Sequence, residues 1–468
     1  MWWFGIDRKW WTLLVVGVGT FMSALDGTAV NTALPIIGRQ TGAPFSSLEW
    51  VVLIYLLTAV SLLLVVGKLG DMHGRRGIYL AGLIVFACGS VLCGLAPGIG
   101  ALIFFRGLQA CGAAVMFALS PAVLTSAFPP EQRGRSLGMQ GTITYLGVST
   151  GPAFGGFLTH HFGWRAIFFI NLPIALIVVP LGYMTLHRDE GRGKEPFDPI
   201  GAISLAVALS CLLFTLSKGQ AMGWTSKPIL STAAISIIAS GVFIAAEGRL
   251  RYPMLDLGLF SNRIFSASAF AAVMNYIAST SVSFLMPFYL LSASHFRIDL
   301  AGALLMSAPI ATATVTATAG RLSDRIGPRV PATLGMCITV IGLLLLRTLK
   351  AGAPTPAVVM HLALVGLGVG LFTSPNNSAI MGSAPEQAQG VAGAVLAAAR
   401  NMGFALGTAL AGMLYLQKLH GLEGHVPESV ATAASMHHAT TVIACLAITG
   451  VIASAVRGKM PKARRVRA

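Results

Sequence analysis

The chain is a succession of long apolar stretches separated by short polar loops. Fourteen stretches approach or exceed the roughly 20 apolar residues that a helix needs to cross a bilayer. Their approximate limits are 12–37, 48–70, 78–96, 100–127, 136–158, 165–186, 199–217, 229–247, 264–292, 299–320, 330–349, 355–377, 388–416 and 438–457. Unbroken runs of this kind predict helices, because a membrane β-barrel shows short alternating segments instead. The seventh and eighth spans are short and are parted by Lys218–Pro228.

Composition supports the pattern. Of 468 residues, 55% are hydrophobic and only 10% are charged, and the mean hydropathy is +0.76. A soluble domain is about 25% charged. The prediction is an all-α polytopic membrane protein in contact with the lipid bilayer. The net charge of +16 does not point to nucleic acid, because the cations fall mostly in the short loops. With the N-terminus in the cytoplasm, the inside segments hold 22 Lys and Arg, the outside loops eight, and spans the remaining two, Arg106 and Arg400. That bias predicts both termini inside. Removing the seventh and eighth spans together would preserve it, so charge also permits twelve. The start, with Trp2, Trp3, Arg8, Lys9, Trp10 and Trp11, reads as an interfacial anchor leading into the first span rather than a cleavable leader. Cys88, Cys93, Cys111, Cys211, Cys337 and Cys445 all lie in apolar runs and read as small buried hydrophobes. No metal-ligand spacing, nucleophile–base arrangement or nucleotide-binding fingerprint is visible, so an enzyme, a metal site and a cofactor are not expected.

The chain repeats itself. Gly67-Lys68-Leu69-Gly70-Asp71-Met72-His73-Gly74-Arg75-Arg76 follows the second span, and Gly320-Arg321-Leu322-Ser323-Asp324-Arg325-Ile326-Gly327-Pro328-Arg329 follows the tenth. Pro130-Glu131-Gln132 likewise matches Pro385-Glu386-Gln387, each before a Gly-rich span. The two offsets, 253 and 255 residues, agree. Parallel repeats of this kind build transporters with a site between the halves. The economical division is a six-helix bundle over 1–190, a linker with two extra helices over 191–260, a second six-helix bundle over 261–457 and a basic cytoplasmic tail over 458–468.

Asp26 is the residue with most chemical content. A carboxylate at membrane depth costs about 2.5–3.5 kcal/mol on insertion scales and marks a functional site by default. Low dielectric disfavours a charged carboxylate, so such a group can hold a proton and release it when water or a cation arrives. The plainer alternative is a hydrogen bond to a neighbouring helix. Arg106 is a fixed positive charge within the fourth span. It needs an anion or carbonyls, and Asp26 is the obvious candidate. Gly147, Gly151 and Gly155 lie four residues apart and form one bare stripe on the fifth span, along which a neighbouring helix can approach closely. Pro152 removes a backbone donor and bends that helix.

These residues resemble the major facilitator superfamily, and specifically its fourteen-helix drug:proton antiporter branch, over nearly the whole chain. The resemblance implies the major facilitator fold, two six-helix bundles plus two extra helices. The segment Gly67–Arg76 is similar to the superfamily signature between helices two and three, which implies a gate latch of Asp71, Arg75 and Arg76, with Asp324 in the second copy. There Pro328 stands where the first copy has a basic residue. Arg106 and its neighbours resemble a fourth-helix motif and imply coupling to protonation. Gly147, Gly151, Pro152, Gly155 and Gly156 resemble the exporters' signature and imply proton antiport. Asp26, Asn31, Ala33 and Pro35 match the branch's first-helix signature and imply Asp26 as proton carrier.

Candidates for a substrate cavity are Asn31, Tyr145, Asn275, Tyr276, Phe284, Phe288, Arg400 and Asn401, with Tyr289, Phe372 and Asn376 beside them; lipid or helix packing explains the others equally well alone, but Arg400, well inside the thirteenth span, is the better candidate. Thr312 with Thr316, and Thr314 with Thr318, share helix faces and read as packing groups. The functional expectation is a monomeric plasma-membrane antiporter, bacterial inner membrane in type. It exports a small amphipathic compound against protons by alternating access. One alternative is a lipid or metabolite transporter of the same fold. Another, of a different class, is a non-transporting receptor or scaffold. One clear mid-span carboxylate against two mid-span arginines argues mildly against a dedicated dication exporter.

Overall fold

The computed structural model describes residues 7–187, 199–248, 257–384, 389–422 and 424–458. The Pro385–Gln387 repeat and the tail from 459 onward lie outside them, as do the side chains of Asp71, Tyr145 and Asp324. The described residues are helical throughout, without strands.

The chain divides into two compact units. The first comprises Met1–Tyr252 with Met286–Met306. Its helices are α1 (Arg8–Thr41), α2 (Phe45–His73), α3 (Arg75–Gly94), α4 (Ile99–Ala127), α5 (Pro130–Phe162), α6 (Ala166–Phe169), α7 (Asn171–Thr185), α8 (Pro199–Met222) and α9 (Lys227–Glu247). Between them α3 packs on α4 and α7, α2 on α4 and α8, α1 on α5, and α9 on α8. The core is built from Val15, Val16, Met22, Tyr79, Leu83, Phe86, Met116 and Leu124, all essentially water-free.

Two features of this unit follow directly from residue type. The stripe Gly147, Gly151 and Gly155 lies against α1: a Cβ on Gly147 would come within 2.7 Å of the Phe21 carbonyl, and one on Gly155 within 2.6 Å of the Ala29 carbonyl. Backbone thus meets backbone, which only glycine permits. The break between α6 and α7 falls at Ile170. Pro173 follows four residues after Phe169, has no amide hydrogen to offer its carbonyl, and clashes with it, so the helix restarts at Asn171.

The second unit comprises Pro253–Leu285 with Ser307–Ala468. Helix α10 (Arg263–Phe288) enters it, and α11 (Ile298–Leu305) packs in the first unit on α5. The rest is α12 (Ser307–Ile326), α13 (Arg329–Leu345), α14 (Thr355–Ser383), α15 (Gln389–His420) and α16 (Glu428–Val456). Helix α14 packs on α12 and α13, and α16 on α13 and α15. Thr312 donates to the Gly366 carbonyl at 2.8 Å, and so joins α12 to α14 as a packing group.

Among the described residues, twelve helical segments are long and apolar enough to cross a membrane. They include α8 and α9 in the middle of the chain. Helices α5 and α15, at 33 and 32 residues, coincide with the expected fifth and thirteenth spans but are not among the twelve. The count of fourteen is therefore not reached by length and hydropathy alone. Gly, Gln, Arg, Asn and Thr in α5 and α15 dilute their apolar character.

Candidate functional site

Asp26 is wholly buried in α1, and α4 and α7 bring three hydrogen-bond donors to it. Arg106 of α4 pairs with Oδ2 through Nη1. Gln109 of α4 donates Nε2 to Oδ1 at 3.0 Å, and Asn171 of α7 donates Nδ2 to the same oxygen at 3.3 Å. Two oxygens thus receive three donors, one of them a guanidinium. Gln109 lies one turn beyond Arg106, so α4 presents both on one face. Its other amide atom, Oε1, accepts Arg106 Nη1 at 2.7 Å and the Cys93 thiol at 3.7 Å. Gly89 of α3 lets this residue in: a Cβ there would come within 2.7 Å of the Gln109 Cα. The α6–α7 break puts Asn171 at a helix start, where its Nδ2 also donates to Ser90 Oγ at 2.9 Å, and Ser90 in turn donates to the Phe168 carbonyl at 2.8 Å.

Arg106 does not depend on Asp26 alone. Its Nε donates to the Val51 carbonyl at 3.4 Å. Its guanidinium lies 4.2 Å from the Tyr55 ring centroid and 5.7 Å from that of Phe168. The Tyr55 hydroxyl is itself anchored on the Ser23 carbonyl at 3.3 Å. A guanidinium over aromatic faces is stabilised by about 2 kcal/mol or more when desolvated. Arg106 is therefore held by partners additional to Asp26.

The family can now be decided. Residues 16–265 and 268–463 match the model of the Major Facilitator Superfamily. The chain belongs to that superfamily. The riboflavin transporter RibZ of Clostridioides difficile (strain 630) is 34% identical over 415 residues, 88% of this chain and 90% of that relative. The multidrug resistance protein Stp of Mycobacterium tuberculosis (strain CDC 1551 / Oshkosh) is 31% identical over 434 residues, 92% of this chain and 81% of that one. The fold matches a crystal structure of a bacterial homolog of the human lysosomal transporter Spinster with a TM-score of 0.71, at 15% identity, covering 96% of this chain and 97% of that one. This superfamily member is thus a multi-pass membrane transporter with the major facilitator fold.

Within this superfamily transporter the other expected residues fall as follows. Arg75 donates to the Ala122 carbonyl at 3.4 Å, and Arg76 lies 4.7 Å from the Tyr183 ring and donates to its carbonyl. The described contacts of both are inside the first unit. Gly151 faces Thr28 and the Leu25 carbonyl, Gly156 backs onto the Ile298 carbonyl, and Pro152 lies against Gly302 of α11. Asn31 is buried, and its Oδ1 has no hydrogen-bond partner among the described residues. Phe288 tilts against Phe45 at 4.7 Å. In the second unit Tyr276 meets Phe404 edge-on at 5.4 Å and lies close enough to Arg400 to feel its charge. Asn275 donates to Met336 Sδ at 3.4 Å, Phe284 is fully buried, and Asn401 is half-buried. Among the described candidates, Tyr276 and Arg400 are linked, through the charge of Arg400; the side chain of Tyr145 lies outside the described residues.

Gln109, Asn171, Ser90 and Tyr55 were not singled out from the sequence. Gln109 carried a signal in its spacing from Arg106. Asn171 carried another, as a polar residue inside an apolar run. Two further carboxylates are buried, both near helix ends rather than mid-span. Glu49 of α2 is fully buried, and Glu247 of α9 is 3% exposed. Both sit at the margin of an apolar run, where hydropathy alone gives no depth. No group of three or more His, Cys, Asp or Glu suited to a metal ion occurs among the described residues.

Proposed function

We infer that this transporter is a proton-coupled antiporter of the fourteen-helix drug:proton branch, exporting small amphipathic compounds by alternating access. The observation that carries the reading is the buried Asp26–Arg106 pair with its second set of partners for the guanidinium. With Asp26 charged, Arg106 and Asp26 neutralise each other. When a proton reaches Asp26, the guanidinium keeps Gln109 Oε1, the Val51 carbonyl and the Tyr55 and Phe168 faces. The two protonation states then favour different packings of α1 against α4. Differential stability of two packings is what lets a ligand shift a facing equilibrium. Substrate competes with the proton or relays it.

The fourteen-span reading is supported by α8 and α9, which add two spans between the halves, and by α5 and α15, whose length suffices for two more. The domain division 1–190, 191–260, 261–457 and 458–468 goes with it. So do a plasma-membrane location, a monomer, cytoplasmic termini and a gate latch of Asp71, Arg75 and Arg76, with Asp324 in the second copy. Export of toxic compounds is supported by the relative Stp, named a multidrug resistance protein. A second reading, a metabolite exporter, is favoured by the riboflavin transporter RibZ. Proteoliposomes with an imposed pH gradient and a panel of amphipathic dyes, antibiotics and flavins separate the two. Flux of flavins alone selects the second reading. Flux that ignores the pH gradient removes the antiport reading.

A further inference from the structure

Glu49 occupies the second turn of α2 and has no exposed surface. Ser217 of α8 donates its hydroxyl to Oε2 at 3.0 Å. The other oxygen, Oε1, is buried without a hydrogen-bond partner among the described residues. One neutral hydroxyl is weak support for a carboxylate withdrawn from water, because a buried charge needs both pairing and hydrogen bonds. Asp26 provides the contrast within the same unit, with three donors, one of them a guanidinium. Beside Glu49, Trp50 packs on Phe214 of α8 at 6.2 Å and closes the seam between α2 and α8.

The charged groups around this position are few. From α8, Lys218 follows Ser217 and its charge acts on Glu49. From α4, Arg106 is committed to Asp26, Gln109 and the Val51 carbonyl. From α1, Arg39 reaches the Leu291 carbonyl at 3.5 Å and Ser292 Oγ at 3.3 Å. From α3, Arg75 and Arg76 belong to the opposite end of α2.

Helix α2 links this carboxylate to the first site. Two residues after Glu49, the Val51 carbonyl accepts Arg106, and six residues after it the Tyr55 ring underlies the same guanidinium. At 3.6 residues per turn, Glu49 and Val51 project from roughly opposite sides of the helix. Helix α2 is therefore held between the Asp26–Arg106 pair and the α8–α9 hairpin.

We propose that Glu49 is a second proton-binding group of this transporter, loaded and unloaded at the α2–α8 seam and coupled to Asp26 through α2. The proton comes from water and adds to Oε1, which accepts no hydrogen bond among the described residues, while Ser217 keeps Oε2. Release returns the proton to water and restores the carboxylate. The proposal rests on the proton-antiport reading and extends it to a second site.

Counting protons on the purified full-length protein tests it without any substrate. A pH jump from about pH 5 to about pH 9, read with a pH-sensitive dye, releases about one proton per chain fewer from Glu49→Gln than from wild type. The amide still accepts from Ser217, so the seam is preserved. Ser217→Ala keeps the proton count but moves the Glu49 step toward alkaline pH, since it removes a bond that favours the charged form. Equal release from wild type and E49Q, or an unmoved step in S217A if E49Q fails to fold, overturns the proposal. Asp26→Asn measured alongside separates the two readings: a loss in D26N but not E49Q defeats Glu49 alone, and no loss in either defeats proton coupling itself.

Discussion

Replacing Asp26 by Asn tests the site where its energetics are largest. Asn has the same shape but no charge, and it stands for the protonated acid. In the charged state Oδ2 meets Arg106, while Oδ1 meets Gln109 and Asn171. An amide at this position can accept on one side only. Its NH2 must face either the guanidinium or the two amide donors. Removing one partner of a buried pair costs about 3–5 kcal/mol, because the other charge is left uncompensated. Here the Val51 carbonyl, Gln109 Oε1 and the Tyr55 and Phe168 rings moderate that cost, so the expected loss is about 3 kcal/mol, the lower end. If transport is proton-coupled as proposed, the same range bounds the work of protonating Asp26. A proton crossing 100 mV releases about 2.3 kcal/mol, so separating the pair takes the equivalent of roughly 130–220 mV. That is a scale one or two protons can meet. The assay is a double-mutant cycle of Asp26→Asn and Arg106→Gln, read as thermal unfolding in detergent and, in proteoliposomes, as uptake driven by a pH gradient. Each single variant unfolds at lower temperature, and the double variant is less damaged than the two losses added together. Uptake driven by the pH gradient is abolished in D26N. Additive stability losses, or a D26N protein that still accumulates substrate against its gradient, refute the argument.

Further expectations concern packing, topology and the latch. Gly155→Leu should destabilise the first unit by about 1–3 kcal/mol and reduce export, since a side chain there meets the Ala29 backbone. Gly141→Ala, with nothing within 4 Å of the new Cβ, should be neutral or slightly stabilising; equal thermal shifts in both variants would remove the close-approach explanation. Trp224 lies between α8 and α9 and is 42% exposed. A Trp224→Cys label that reacts only from the cytoplasmic side defeats the fourteen-span topology. Asp71→Asn should change the balance of facing states by up to about five-fold, the response to losing an ion pair of up to about 1 kcal/mol. Spin-label distances that are identical to wild type at high and low pH would leave Asp71 a topology residue.

Much of this molecule is written in its periodicity and composition. Apolar runs of bilayer length leave the backbone no option but helix, because lipid offers its amides no partner. That makes the all-helical architecture and the membrane setting legible from sequence, and the paired motifs at 67–76 and 320–329 make the superfamily legible too. Asp26 and Arg106 stand out for the same reason, since charge within such a run is costly wherever the helix goes. Gly147, Gly151 and Gly155 announce a close contact, though not its partner. What the chain order does not contain is which helices become neighbours. Asn171 reaches Asp26 from 145 positions away, and Gln109 serves it only because Gly89 lets α3 and α4 close together. Glu49 lies at the edge of its apolar run, and its burial exists only because α8 covers it and Ser217 arrives from 168 positions away. Local sequence dictates conformation through short-range sterics and solvation; whether a polar group ends in water, in lipid or against another side chain is settled only when distant helices pack.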